Sequence, residues 1–236
     1  MPPADLAPSV GERLARIRGR IAAACARAGR KPEEVTLIGA SKQQPLAALA
    51  EAYAAGLRDF GENRVQEGQR KAPELPADAV WHLIGPLQTN KARAAARLFR
   101  AVHSVDRGKV AGALSDERRG LEPLAVFLEI NLGGEATKHG FPPAEALAAA
   151  RETATLPGLR LVGLMAIPPE EEDPERMRPW FRALAALRNQ VAAAPELAGF
   201  AGYLSMGMSG DFEIAIEEGA THVRVGTALF GPRPRP

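Results

Sequence analysis

About eight short apolar runs alternate along this 236-residue chain with longer, alanine-rich amphipathic segments. The runs are VTLIGAS (35–41), RDFGEN (58–63), VWHLIG (80–85), AVHSVD (101–106), LAVFLEINL (124–132), LRLVGLMAI (159–167), GYLSMG (202–207) and THVRVGTALFG (221–231). Among the segments between them, PLAALAEAYAAG, NKARAAARLF and DPERMRPWFRALAALRNQVAAA read as helices. The last of these has Asp173 at its cap and Pro174 in its first turn. Strands that alternate with helices predict a parallel sheet, because each crossover returns the chain in the same direction. Evenly spaced units in a chain of this size predict a closed (β/α)8 TIM barrel over 35–231 in a single domain, 1–236, rather than an open doubly wound sheet. Ahead of it, Ser9 and Glu12 form a capping-box pattern, and Val10, Leu14, Ile17 and Ile21 fall on one helical face. An extra N-terminal helix over about 9–29 is expected to cap or flank the barrel. The tail, 232–236, is expected to fray.

Composition excludes several functions. Lys and Arg total 30 against 28 Asp and Glu, so the net charge of +2 offers no basic patch for nucleic acid. No apolar run approaches the roughly 20 residues of a membrane span. The single cysteine, Cys25, rules out an internal disulfide and suits a reducing, cytoplasmic compartment. The arginine-bearing N-terminus superficially resembles a transit peptide, but its capping box favours a structural helix.

A TIM barrel places its chemistry at the C-terminal ends of its strands. The polar residues expected there are Lys42; Glu62 and Asn63; Gln88, Thr89, Asn90 and Lys91; Asn131, Glu135, Thr137 and Lys138; Ser205 to Ser209; and Arg224, Gly226 and Thr227. Two groups fit together. SMGMSGD opens a helix and RVGT follows the last strand, so Ser209, Gly226 and Thr227 can build a phosphate cradle from amides and hydroxyls. Lys42, leaving the first strand toward a partly apolar mouth, can present an amine to an aldehyde. A cradle plus such a lysine suggests a phosphorylated aldehyde. Pyridoxal 5′-phosphate (PLP) is the leading candidate, and a sugar phosphate on an aldolase-type lysine competes with it. Arg224 can serve as a salt-bridging barrel residue or donate to the pyridine nitrogen. In the second role it leaves that ring unprotonated and a weak electron sink. Met206 and Met208 read as cavity lining, and His82 and His222 as packed or hydrogen-bonded strand residues. The four histidines show no metal-ligand spacing.

SKQQP, FGENRVQE, WHLIGPLQTNK, GGEATKHG, GLMAI and LSMGMSGDFEIAIEEGATHVRVGTALFG occur in that order. Together they resemble the pyridoxal phosphate homeostasis protein family, barrels similar to the N-terminal domain of alanine racemase. The resemblance implies a PLP-binding barrel of the fold-type III class with no second β domain. It implies Lys42 as the Schiff-base lysine, Asn63 beside the cofactor, Ser209, Gly226 and Thr227 around the phosphate, and Arg224 at the pyridine nitrogen, with Met208 among the cofactor-binding residues. The chain departs from the family pattern at Arg64, where an aromatic is usual, and at SKQQP, where a run like SKTKP is usual.

Related racemases draw a tyrosine base, and much of their dimer interface, from a second domain. The only tyrosines here are Tyr53 and Tyr203, neither well placed as an opposing base. The resemblance therefore implies a monomeric, non-catalytic carrier that holds PLP and buffers it or delivers it transiently to apo-enzymes. A weak racemase and an aldolase-type enzyme are the alternatives. Lys138 is a candidate to hold incoming or outgoing PLP.

Overall fold

The computed structural model describes residues 8–135, 139–169 and 171–232. Eight parallel strands close into a barrel in sequence order: β1 (Thr36–Ala40), β2 (Asp59–Glu62), β3 (Val80–Leu83), β4 (Ala101–Val105), β5 (Leu124–Glu129), β6 (Leu159–Met165), β7 (Tyr203–Ser205) and β8 (His222–Val225). Closure is made by β1 and β8, with Thr36 opposite His222 and Gly39 opposite Val225. The helices are α1 (Val10–Arg27), α2 (Leu46–Ala54), α3 (Val65–Lys71), α4 (Ala92–Leu98), α5 (Gly108–Glu117), α6 (Ala146–Ala154), α7 (Arg178–Ala192), α8 (Phe212–Glu217) and α9 (Thr227–Phe230). β3, β5 and β6 stop two or three residues short of their apolar runs. The ladders end ahead of Pro86 and Pro168, which have no N–H to extend them, and ahead of the turn at Leu132–Gly133.

Most of the apolar core lies between the sheet and the helix ring, where each fully buried branched side chain contributes roughly 1.5–3 kcal/mol. A smaller apolar cluster of Ala101, Phe127, Val162 and Met165 stands apart from it. Phe127 has room because a Cβ on Gly163 would come within 2.6 Å of its ring.

The extra helix flanks the barrel. Ser9 and Glu12 make the expected capping box, and Val10, Leu14, Ile17 and Ile21 are buried. α1 packs against α8, α9 and α2, so it fills the place in the outer ring that the four-residue α9 is too short to occupy. Arg20 and Arg27 tie it to Glu213 and Glu217 of α8 at 2.7 and 2.6 Å.

Candidate functional site

Lys42, Asn63, Met208, Ser209, Arg224, Gly226 and Thr227, singled out above, line one cavity of about 600 Å³. The fold brings them together because each lies at or just beyond the C-terminal end of β1, β2, β7 or β8. Lys42 is half-buried, two residues past β1. Met206 does not share the cavity: it is fully buried in the main core, and only Met208 lines the wall. Lys138 and Thr137 lie outside the described residues. Arg64 is exposed at the start of α3 and borders a neighbouring cavity of about 830 Å³ with Lys91, Arg107 and His139.

The loop after β7 is shaped for its place. Gly207 has φ +91°, a conformation L side chains rarely adopt, and a Cβ there would lie 2.6 Å from that of Ala215. The Met208 amide then donates to Asp211 Oδ1 at 2.5 Å, closing the turn into α8. The strand β8 ends before Gly226, whose backbone bends away (φ −106°, ψ −85°) into α9. The Ala228 amide donates to Ser209 Oγ at 3.3 Å, linking the two loops across the cavity.

Arg224 is the end of a buried polar column. Its Nη2 donates to the Ala166 carbonyl at 3.0 Å and its Nη1 to Ser205 Oγ at 2.8 Å. Ser205 Oγ lies 2.8 Å from His103 Nδ1, His103 Nε2 lies 3.0 Å from His82 Nδ1, and His82 Nε2 lies 3.0 Å from Asp59 Oδ1. The two ends fix their own directions: the Arg224 guanidinium can only donate to Ser205 Oγ, and the Asp59 carboxylate accepts from His82 Nε2. His103 also stacks on Phe127, with centroids 4.1 Å apart. The sequence placed His82 and His222 in strands but left out this column. The signal was the recurrence of polar residues within otherwise apolar runs: His82, His103, Ser205, and His222 with Arg224 two residues on.

Burial dominates the electrostatics. It pushes Arg224 down to about 10, so the guanidinium stays charged at neutral pH, with Asp211 and Glu129 opposing the fall. It pushes His222 down to about 3 and holds His103 well below the usual imidazole value, in both cases aided by His82. It pushes Glu129 up to about 7, helped by the charge of Asp106, and raises Glu62 against the pull of Lys71 and Ser41.

These shifts set a pH dependence. Between pH 6.5 and about 3 the unfolded chain binds a proton at His222 that the folded chain refuses, so stability falls as pH falls through that window, and His103 acts with it. Between 4.5 and about 7 the folded chain keeps a proton on Glu129 that the unfolded chain has released, so stability falls as pH rises there, and Glu62 acts with it. Each group contributes at most about 1.4 kcal/mol per pH unit. The slopes of Glu129 and His222 oppose each other down to about pH 4.5; below it the histidines act together with carboxylates such as Glu12, Glu34 and Glu175, which their hydrogen bonds hold below the usual value. Acid loss of stability is therefore expected to begin below about pH 4.5 in the wild type, and nearer 6.5 in Glu129→Gln. Urea midpoints against pH test this, and coincident profiles for the two proteins would refute it.

The sequence profile of the family described as "Alanine racemase, N-terminal domain" matches residues 13–234. The chain is 50% identical over 228 residues to the pyridoxal phosphate homeostasis protein of Pseudomonas aeruginosa, covering 95% of this chain and 96% of that one. It is 44% identical over 230 residues to the Escherichia coli protein of the same name, covering 95% and 97%. PipY of Synechococcus elongatus, solved without PLP, superposes with a TM-score of 0.83 at 38% identity, covering 94% of this chain and all of that one. The same protein with PLP bound gives 0.79. Alanine racemase of Corynebacterium glutamicum, at 18% identity and a TM-score of 0.65, shares the fold across 93% of this chain and 62% of its own.

Proposed function

Since the chain belongs to the alanine racemase N-terminal domain family, we propose that it is a PLP-binding protein of cofactor homeostasis, one that holds PLP on Lys42 and buffers it or passes it to apo-enzymes. The observation that carries this reading is the meeting, in one cavity, of an amine, a buried guanidinium and two hydroxyl-bearing loops. The cavity volume of about 600 Å³ suits a single aromatic ring with a phosphate arm. When bound, PLP supplies an aldehyde that a lysine amine takes up reversibly.

The residues divide the work. Ser209, Gly226 and Thr227 hold the phosphate where the β7 and β8 loops meet. Lys42, on the β1 side of the mouth, would take the aldehyde. Arg224, locked by Ser205 and Ala166, would donate to the ring nitrogen without surrendering a proton to it, which would keep the ring a weak electron sink. Asn63, just past β2, would border the cofactor.

The reading is of a carrier and not an enzyme. Racemisation needs acid and base on opposite faces of the reacting carbon. Neither tyrosine lines the cavity: Tyr53 donates to Asp78, and Tyr203 packs against His222, at the opposite end of β8 from the loop that lines the cavity. The reading carries with it a monomeric, cytoplasmic protein that meets apo-enzymes transiently. Cys25 is free and buried, and among the described residues no helix is long and apolar enough to cross a membrane.

The test is to load the purified protein with PLP and incubate it with L-alanine and, separately, with an apo PLP-dependent enzyme. D-alanine formation no faster than with free PLP, and recovery of the second enzyme's activity, are expected. Turnover well above free PLP would replace the carrier reading with the racemase one.

A further inference from the structure

The two residues on either side of Lys42 are held by the same group of side chains. Lys71, the last residue of α3, is 1% exposed. Its ammonium donates to the Ser41 carbonyl at 2.7 Å, to Glu62 Oε1 at 2.7 Å and to Glu67 Oε2 at 3.1 Å. An ammonium has three protons, and each has its own acceptor. The Ser41 hydroxyl also donates to Glu62 Oε1 at 2.7 Å, and the Gln43 amide donates to Glu67 Oε2 at 3.0 Å. Gln43 is the one described non-glycine residue in the left-handed region, with φ +59°. A side chain sits there only where its surroundings over-determine the backbone.

A buried ion pair of this kind adds little net stability over an apolar packing of the same shape. What it supplies is geometry. Ser41 is fixed through both its carbonyl and its hydroxyl, and Gln43 through its amide. The backbone of Lys42 is thereby held from both sides, which sets the direction of its Cα–Cβ bond. None of Glu62, Glu67 or Lys71 lines the 600 Å³ cavity, so the group acts through the loop and not on a ligand.

We propose that Lys71, clamped between Glu62 and Glu67, is a positioning residue that holds the Lys42 loop so that the Lys42 amine is aimed into the cavity. The proposal rests on the reading of Lys42 as the PLP lysine. It goes further by assigning Glu62, Glu67 and Lys71 to the control of that lysine.

The test uses full-length protein carrying Glu67→Ala, Glu67→Gln or Lys71→Met. Glu67 is partly exposed, and its removal leaves the Lys71–Glu62 pair intact, so Glu67→Ala keeps the question open even if Lys71→Met does not fold. Two rates are read by mass spectrometry at Lys42: acylation by a small amine-directed reagent on cofactor-free protein, and PLP fixed by borohydride on loaded protein. Glu67→Ala is expected to change both by roughly tenfold with little change in melting temperature, as misplacing a reacting group by a fraction of an ångström does. Glu67→Gln, which still offers an oxygen to the Gln43 amide, is expected to restore both. Wild-type rates at Lys42 in Glu67→Ala would overturn the proposal. Failure of the wild type to fix PLP at Lys42 would overturn the cofactor reading instead, while acylation of the cofactor-free protein would still decide the clamp.

Discussion

Protein carrying Lys42→Ala is expected to be colourless after loading with PLP, where the wild type shows a visible absorption band. A lysine–PLP linkage absorbs at longer wavelength than the free aldehyde bound without a covalent bond, so the band reports this one amine. Binding should be weakened and not abolished. On the proposed assignment the Ser209 and Thr227 loops would still hold the phosphate, and Arg224 remains fixed by Ser205 and Ala166. Adding Ser209→Ala and Thr227→Ala to Lys42→Ala should remove that residue of affinity. Hydrogen bonds to a charged group contribute about 1.5–3 kcal/mol each, on the order of ten- to a hundredfold in Kd. Equilibrium dialysis with the two variants checks the sequence of losses. A coloured Lys42→Ala protein would place the linkage on another lysine.

Gly207→Ala is expected to be the most damaging single methyl group in the mouth of the barrel. Its φ of +91° penalises any side chain, and the new Cβ would stand 2.6 Å from the Cβ of Ala215 and 3.0 Å from Phe212 Cα. Strain and overpacking together are worth about 4 kcal/mol, each typically contributing 1–3. In a chain of this length that corresponds to a fall in melting temperature of roughly 8–16 °C. The Gly207 carbonyl accepts from the Arg224 amide at 3.0 Å, so the displacement also reaches the cavity and should weaken PLP binding. Gly210→Ala is the control, with nothing within 4 Å of its Cβ and no left-handed φ, and should melt close to the wild type. Equal melting temperatures for the two variants would show that the Gly207 turn relaxes freely.

The barrel was legible because its signal is repeated: each strand run is bounded by turn residues and followed by an amphipathic segment, and no single unit has to carry the inference. The mouth residues were legible because the barrel dictates which end of every strand they share. Lys42, Ser209 and Thr227 could be named from position alone. The polar column behind Arg224 was not legible, since His82 and His103 are side by side only after two strands pair, and Ser205 is more than a hundred residues from His103 in sequence. The Lys71 group was hidden for a related reason. Glu67 and Lys71 lie one helical turn apart, a spacing that carries no sign of burial; only the packing of α3 against the β1 loop buries Lys71 beside Ser41. Met206 and Met208 alternate in the sequence as if they shared a wall, and the left-handed turn at Gly207 sends one into the core.

The pairing of β1 with β8 has a consequence for how the chain is made. β1 leaves the ribosome before every other strand of the barrel, yet one of its two ladders consists of Thr36–Gly39 against His222–Val225. Until β8 has been synthesised, the growing sheet keeps an open edge at β1, and α1 lacks the α8 and α9 surfaces it rests on. The nascent chain therefore has to carry a nearly complete sheet with an exposed strand, the state most prone to pairing with a neighbour. Joining those two edges is a contact between residues almost the full barrel apart in sequence, which makes it a late and slow event in folding. A chain released before His222 would bring every helix of the outer ring up to α8 and still be unable to close.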